Sequence, residues 1–253
     1  MNDPGRTATA ILVLVAVATG TIFAQSEEAL LREAEDALYP DSFYMRTRIE
    51  TKQPNRRSTE MVFESLHKDG VGTLIEIQEP PRLRGIRFLI KDESLRLFNP
   101  RSNSRRAIRL SPRDSFQGSL FSNHDLGNPG YTDDYEASHL GEETIDHPEL
   151  GRVETVILEA TAGTDEAPYG RIRMWLRRED SVPVQMEYYA RSGLLFKRLY
   201  LSDIRELAGR QRPAVMRMES LQLENAFSRV EILELEERTD LPDQHFTEDN
   251  LIR

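Results

Sequence analysis

From Phe43 to the end of the chain, apolar and polar residues change places at every second position, in one short run after another. Phe43, Met45, Thr47 and Ile49 alternate with Tyr44, Arg46, Arg48 and Glu50, and Met61 and Phe63 with Glu60 and Glu64. Further along, Ile172, Met174 and Leu176 alternate with arginines and Trp175; Val184, Met186 and Tyr188 with Gln185, Glu187 and Tyr189; and Met216 and Met218 with Arg217 and Glu219. A period of two puts one set on each face of a strand. Asp69-Gly70, Ser192-Gly193 and the segment between Gly209 and Pro213 read as tight turns between such runs. Roughly eleven to thirteen strand candidates joined by short turns indicate an antiparallel meander. A sheet of that length curls or closes, here with its apolar face inward. Val230 and Ile232 are out of phase with Leu233 and Leu235, which predicts a bulge at Ile232-Leu233.

Two stretches break the pattern. Residues 26–39 carry Leu30, Leu31, Ala34, Ala37 and Leu38 on one helical stripe, with Ser26 as cap, Glu27 and Glu28 at the positive end and Pro40 as stop. Residues 85–126 begin as three strand-like runs and then turn irregular. The part after Leu110 is rich in Ser, Asn and Asp, yet it carries Phe116, Leu120, Phe121 and Leu126. An irregular segment with that many large apolar side chains must cover an apolar surface. Residues 141–151, with glycines at both ends, read as a turn-rich region, and Phe246 and Leu251 as docking residues of the tail.

The 253 residues are 38% hydrophobic and 30% charged, a globular balance compatible with one domain. Residues 8–23 form an apolar run after Arg6, with Ala24 as a cleavage point. We expect residues 1–24 to be a cleaved signal peptide directing residues 25–253, a single domain, to the periplasm; retention of the run as an anchor helix is the rival reading. No cysteine is present, so neither a disulfide nor lipidation through a thiol is available. A net charge of -10 disfavours nucleic acid as a partner.

The inward set is notable for methionine. Met45, Met61, Met174, Met186, Met216 and Met218 all fall on the apolar face, with Phe43, Phe63, Phe88, Leu97 and Tyr188. Flexible thioethers suit an apolar partner of variable shape, and equally a packed core, because a lipid cavity and a core share a composition. Arginines crowd residues 82–113. Of these, Arg101, Arg105, Arg106 and Arg109 are candidates for a surface that meets lipid head groups or a partner protein; a solvated strand face is the plainer alternative. His124-Asp125 and Asp146-His147 are adjacent pairs, but no nucleophile motif, metal-ligand spacing or phosphate loop accompanies them. The residues therefore point away from an enzyme, and they imply no cofactor or metal.

An exported chain that opens with an amphipathic helix is followed here by Gly85-x-x-Phe-Leu-Ile and by Leu97-Phe-Asn-Pro. Next come Phe116-x-Gly-Ser-Leu-Phe-Ser-x-x-Asp-Leu126, Tyr169…Trp175, Tyr188-Tyr189…Gly193…Lys197 and Phe246-Thr247. In that order these elements resemble the outer-membrane lipoprotein-sorting proteins of the LolA/LolB-like superfamily, in a divergent branch found beside transporters of the resistance-nodulation-division type. Leu95 stands where that family usually has a tryptophan. The resemblance implies a mainly β fold with a few helices (α+β): a half-open, strongly curved antiparallel β-sheet or barrel of about eleven strands, with helices plugging the concave face. It also implies a monomeric, non-enzymatic carrier of lipid or lipoprotein acyl chains, working with an inner-membrane transporter. On that reading Phe116, Leu120, Phe121 and Leu126 form a lid. The alternative is a periplasmic sensor or binding module on the same fold.

Overall fold

The computed structural model describes residues 26–91, 94–104, 106–127, 130–165 and 167–253. The signal-peptide expectation and Arg105 fall outside them. Helix α1 spans Glu27–Leu38; the Ser26 hydroxyl accepts from Ala29 N, a cap of the kind that contributes about 1 kcal/mol. Its stripe is buried at Leu31, Ala34, Ala37 and Leu38.

Thirteen strands follow: β1 Ser42–Lys52, β2 Thr59–Lys68, β3 Gly72–Glu79, β4 Arg87–Lys91, β5 Ser94–Phe98, β6 Ile108–Leu110, β7 Tyr135–His147, β8 Gly151–Ala162, β9 Arg171–Arg177, β10 Pro183–Tyr189, β11 Leu195–Leu207, β12 Arg210–Ser220 and β13 Phe227–Glu237. Helix α2 is Asn123–Gly127 and α3 is Glu248–Leu251. The strands form one sheet in the order β6-β5-β4-β3-β2-β1-β13-β12-β11-β10-β9-β8-β7, antiparallel throughout. The sheet is open, with thirteen described strands rather than about eleven.

The expected bulge is present. Arg46 pairs with Glu234 and Thr47 with Ile232, so Leu233 is the extra residue that lets both of its apolar flanks face inward. Gly70 takes a left-handed φ of 66° in the β2–β3 turn, a conformation glycine adopts without steric cost.

Residues 141–151 require a correction. Most of this stretch is strand: β7 runs through Gly141 to His147, and the turn is confined to the few residues before β8. The strand lies at a sheet edge and is solvated on both faces over much of its length, so its residues carry no alternation to read. A bulge between His139 and Gly141 turns Leu140 out to solvent.

The meander has a consequence for the irregular segment. β6 and β7 are consecutive in the chain but lie at opposite edges of the sheet. The chain between them therefore crosses the opening of the sheet from one edge to the other. On the outer face, Phe246 and Leu251 close a smaller core over Leu89 and Phe98.

Candidate functional site

The inward side chains meet in one core. Phe43 and Met45 of β1, Met61 and Phe63 of β2, Phe88 of β4, Met174 of β9, Met186 and Tyr188 of β10, and Met216 and Met218 of β12 are all buried in it, and Leu97 of β5 packs against it partly buried. The irregular segment contributes to the same core: Phe116 and Phe121 are buried in it, and Leu120 and Leu126 pack against it. The Phe116 ring lies 5.1 Å from that of Phe88 and 5.4 Å from that of Phe63, within aromatic pairing range. The structure thus brings all fifteen of these residues together, with the lid seated on the sheet.

The lid is folded on itself. Ser111, Pro112, Asp114, Phe116 and Phe121 supply the backbone carbonyls, and Asp114, Phe116, Ser119, Asn123 and His124 the backbone amides, of bonds that all stay inside residues 111–127. Its ties to the sheet run through side chains. Leu120 N donates to Ser228 Oγ at 2.9 Å, Gln53 Nε2 to Gly118 O at 2.9 Å, and Thr73 Oγ1 to Gly127 O. Glu35 of α1 accepts from Tyr131 N, Thr132 N and Thr132 Oγ1, so the helix and the trailing end of the lid are fastened together. Burial raises the Glu35 carboxyl above its usual range despite these bonds.

With the lid in place little room is left between lid, α1 and sheet. The cavity between lid, α1 and sheet is about 20 Å³, lined among others by Leu38, Tyr39, Phe121, Asp125, Tyr131 and Met186. That is room for about one water molecule, against several hundred Å³ in a typical ligand pocket. Any acyl chain on this face must take the place of Phe121, Leu38 and Tyr39.

Polar groups are few and unevenly satisfied. Thr47 Oγ1 and Ser65 Oγ are buried on the inner face without a hydrogen-bond partner. Asp125 Oδ2 accepts from Tyr169 Oη at 2.6 Å and from Ser122 N at 2.7 Å, while its Oδ1 is buried and unpartnered. Lys197 Nζ donates to Tyr169 Oη at 3.5 Å and sits 5.4 Å from the centres of both the Tyr169 and Phe196 rings. Pattern reading missed Lys197, Tyr169 and Asp125 as a group. Lys197 pairs with buried Tyr188 and stands two and four residues before buried Leu199 and Leu201, so it shares their face; the bulge at Phe196, where Tyr189 faces Leu195, lies before that run.

The arginines behave differently from one another. Arg101 donates to the carbonyls of Pro81 and Arg82 and so staples two loops, while Arg106 and Arg109 are exposed. Both His147 nitrogens are engaged structurally: Nδ1 accepts from Glu149 N and Leu150 N, and Nε2 donates to Val184 O. His124 is buried with Nε2 3.7 Å from Asp134 Oδ2.

His67 links the core to acid stability. It stacks on Phe43 and bonds to Thr73 Oγ1 at 2.8 Å. Thr73 gives its own proton to Gly127 O, so His67 Nδ1 carries the hydrogen. Burial lowers its pKa from 6.5 to about 4. The unfolded chain therefore binds the proton more readily, and the stability from neutral His67 is complete above 6.5 and lost as pH falls toward 4. We expect about 3 kcal/mol of stability to be lost over that interval. Denaturant midpoints at neutral and acidic pH should show a shallower loss in His67→Gln; an equal loss in both proteins would contradict the assignment.

Among the described residues, no helix is long and apolar enough to cross a membrane. A family model described as uncharacterized protein matches residues 69–253, well over half of the chain. No curated protein matches. Among solved structures, a LolA superfamily protein from Nitrosomonas europaea is 26% identical, with a TM-score of 0.79 over 89% of this chain and 99% of its own. An outer-membrane lipoprotein-sorting protein domain from Vibrio parahaemolyticus shares the fold at 22% identity, with a TM-score of 0.75 over 90% of this chain and 98% of its own. The chain belongs to the family that the model describes and, with its open curved sheet and edge-to-edge lid, to the LolA superfamily.

Proposed function

We propose that the chain is a periplasmic carrier, acting without catalysis, that holds the acyl chains of a lipid or lipoprotein against its methionine-rich concave face on the way to the outer membrane. The observation that carries this reading is the construction of the lid. Residues 111–127 bury Phe116 and Phe121 in the core, yet among the described residues their backbone-to-backbone bonds are all internal. Such a segment can leave the sheet without breaking a strand ladder. What it uncovers is apolar surface lined by flexible thioethers, which adapt to chains of different length. The arrangement with the lid seated on the sheet is then the closed form.

Two measurements test the reading. Protein purified from its own host should carry lipid detectable by native mass spectrometry. Stripped of that lipid, it should take up a fluorescent fatty acid. A lipid-free protein that takes up no acyl chain would refute the proposal.

The second reading is a periplasmic sensor or binding module that works with an inner-membrane transporter or regulator. The small space between lid, α1 and sheet, a cavity of only about 20 Å³, favours it. A module of this kind would bind its protein partner equally well with the lid cross-linked shut.

A further inference from the structure

Lys197 is a cation on an apolar face. Its neighbours on the adjoining strands are Tyr188 and Ser220, and it is followed on the same face by Leu199 and Leu201, both buried. Among the described residues no carboxylate forms an ion pair with it; its ammonium rests between two aromatic rings and on one phenol oxygen. That phenol gives its proton to Asp125, a residue of the lid. Lysine, tyrosine and lid carboxylate thus form a chain of donors ending on an oxyanion, and one oxygen of that oxyanion has no partner of its own. Burial lowers the Lys197 pKa, with the Asp125 charge acting against the shift, and burial with Asp125 raises that of Tyr169, which stays a neutral donor. Gly170, next to the tyrosine, lets the chain pass close to the β10–β11 turn, because a Cβ there would come within 2.7 Å of Arg191 Cα.

We propose that Lys197 and Tyr169 form an anion subsite beside the small cavity that Asp125, Tyr188 and Leu199 line, and that Asp125 fills it when no cargo is bound. The inference rests on the carrier reading and narrows its cargo to amphiphiles whose polar end is an oxyanion, a fatty-acid carboxylate or a lipid phosphate. The strand register supports the fit. A chain anchored at Lys197 would run inward past Leu199, which lies between Met186 and Met218, and then past Leu201 beside Met216. That path includes the present small cavity and the space filled by Phe121, Leu38 and Tyr39. Arrival of the anion takes over the Tyr169 hydroxyl, the donor that holds Asp125, so head-group binding and lid release are one event. An acyl group joined to a polypeptide through an ester or amide carries no charge at that point and would gain nothing from the lysine.

The test is titration of the lipid-stripped chain with three monomeric probes: a long-chain fatty acid, a lysophosphatidylglycerol and the uncharged monoacylglycerol of the same chain length. The native chain should bind at least one anionic probe more tightly than the neutral one, and the stronger of the two identifies carboxylate or phosphate as the head. Lys197→Met and Tyr169→Phe should each weaken that probe about tenfold and leave the neutral one unchanged. Lys197→Arg should retain binding, and Asp125→Asn should tighten it by removing the competing carboxylate. Equal binding of charged and neutral probes, unmoved by Lys197→Met, would overturn the subsite and leave the carrier reading standing. Weaker anion binding in Asp125→Asn would overturn the placeholder role. Failure of the native chain to bind any probe would remove the carrier reading and the subsite with it.

Discussion

Met186→Asp is expected to destabilise the fold by about 3–5 kcal/mol and to abolish acyl-chain uptake. Met186 is completely buried in β10 and is paired with Met174 of β9 and Leu199 of β11, themselves buried. Its sulfur takes a weak hydrogen bond from Tyr188 Oη at 3.7 Å. An aspartate there could accept that one bond, but its charge would remain among methionines and leucines without a cation beside it. Either the carboxyl stays protonated or the strand rearranges, and both are costly. In a domain of this size the loss corresponds to a fall in Tm of about 10 °C or more. Met186→Leu, which keeps volume and apolarity, should cost less than about 1.5 kcal/mol. Denaturant unfolding of the two variants side by side gives the answer. Equal stability of Met186→Asp and Met186→Leu would mean that Met186 does not face the core.

Such a variant could be chosen from the sequence because inward residues on a two-sided strand announce themselves. The alternation at Phe43 to Ile49, at Ile172 to Leu176 and at Met216 to Met218 corresponds to burial in the structure, and even the slip at Leu233 was legible as a phase error. The helix was legible for the same reason, from its stripe and its Ser26 cap. β7 was not, because an edge strand solvated on both faces has no apolar set to reveal it. The topology of the lid was also hidden. That residues 111–134 join opposite edges depends on β1 pairing with β13, a contact between the two ends of the chain that no local pattern encodes.

The polar part of the site escaped for a different physical reason. Pattern reading drew attention to the arginines of residues 82–113 because they are numerous. Of these, Arg101 is bound to backbone carbonyls, and Arg106 and Arg109 are in solvent. The cation beside Tyr169 and Asp125 is Lys197, which plain alternation with buried Leu199 and Leu201 places on the inner face. A composition count cannot see it, and a lone lysine at an inward position runs against the rule that charged residues face water.

The central claim is that the lid moves. It can be held still, since the chain has no native cysteine and Leu120 N lies 2.9 Å from Ser228 Oγ, which brings residues 120 and 228 within reach of a disulfide. In the double variant Leu120→Cys, Ser228→Cys, the reduced protein should take up a fluorescent fatty acid as the native chain does. Oxidation should lower that uptake about tenfold or more, because Phe121, next to the cross-link, would stay in the acyl-chain path, and reduction should restore it. Undiminished uptake by the fully oxidised, lid-locked protein would contradict the account.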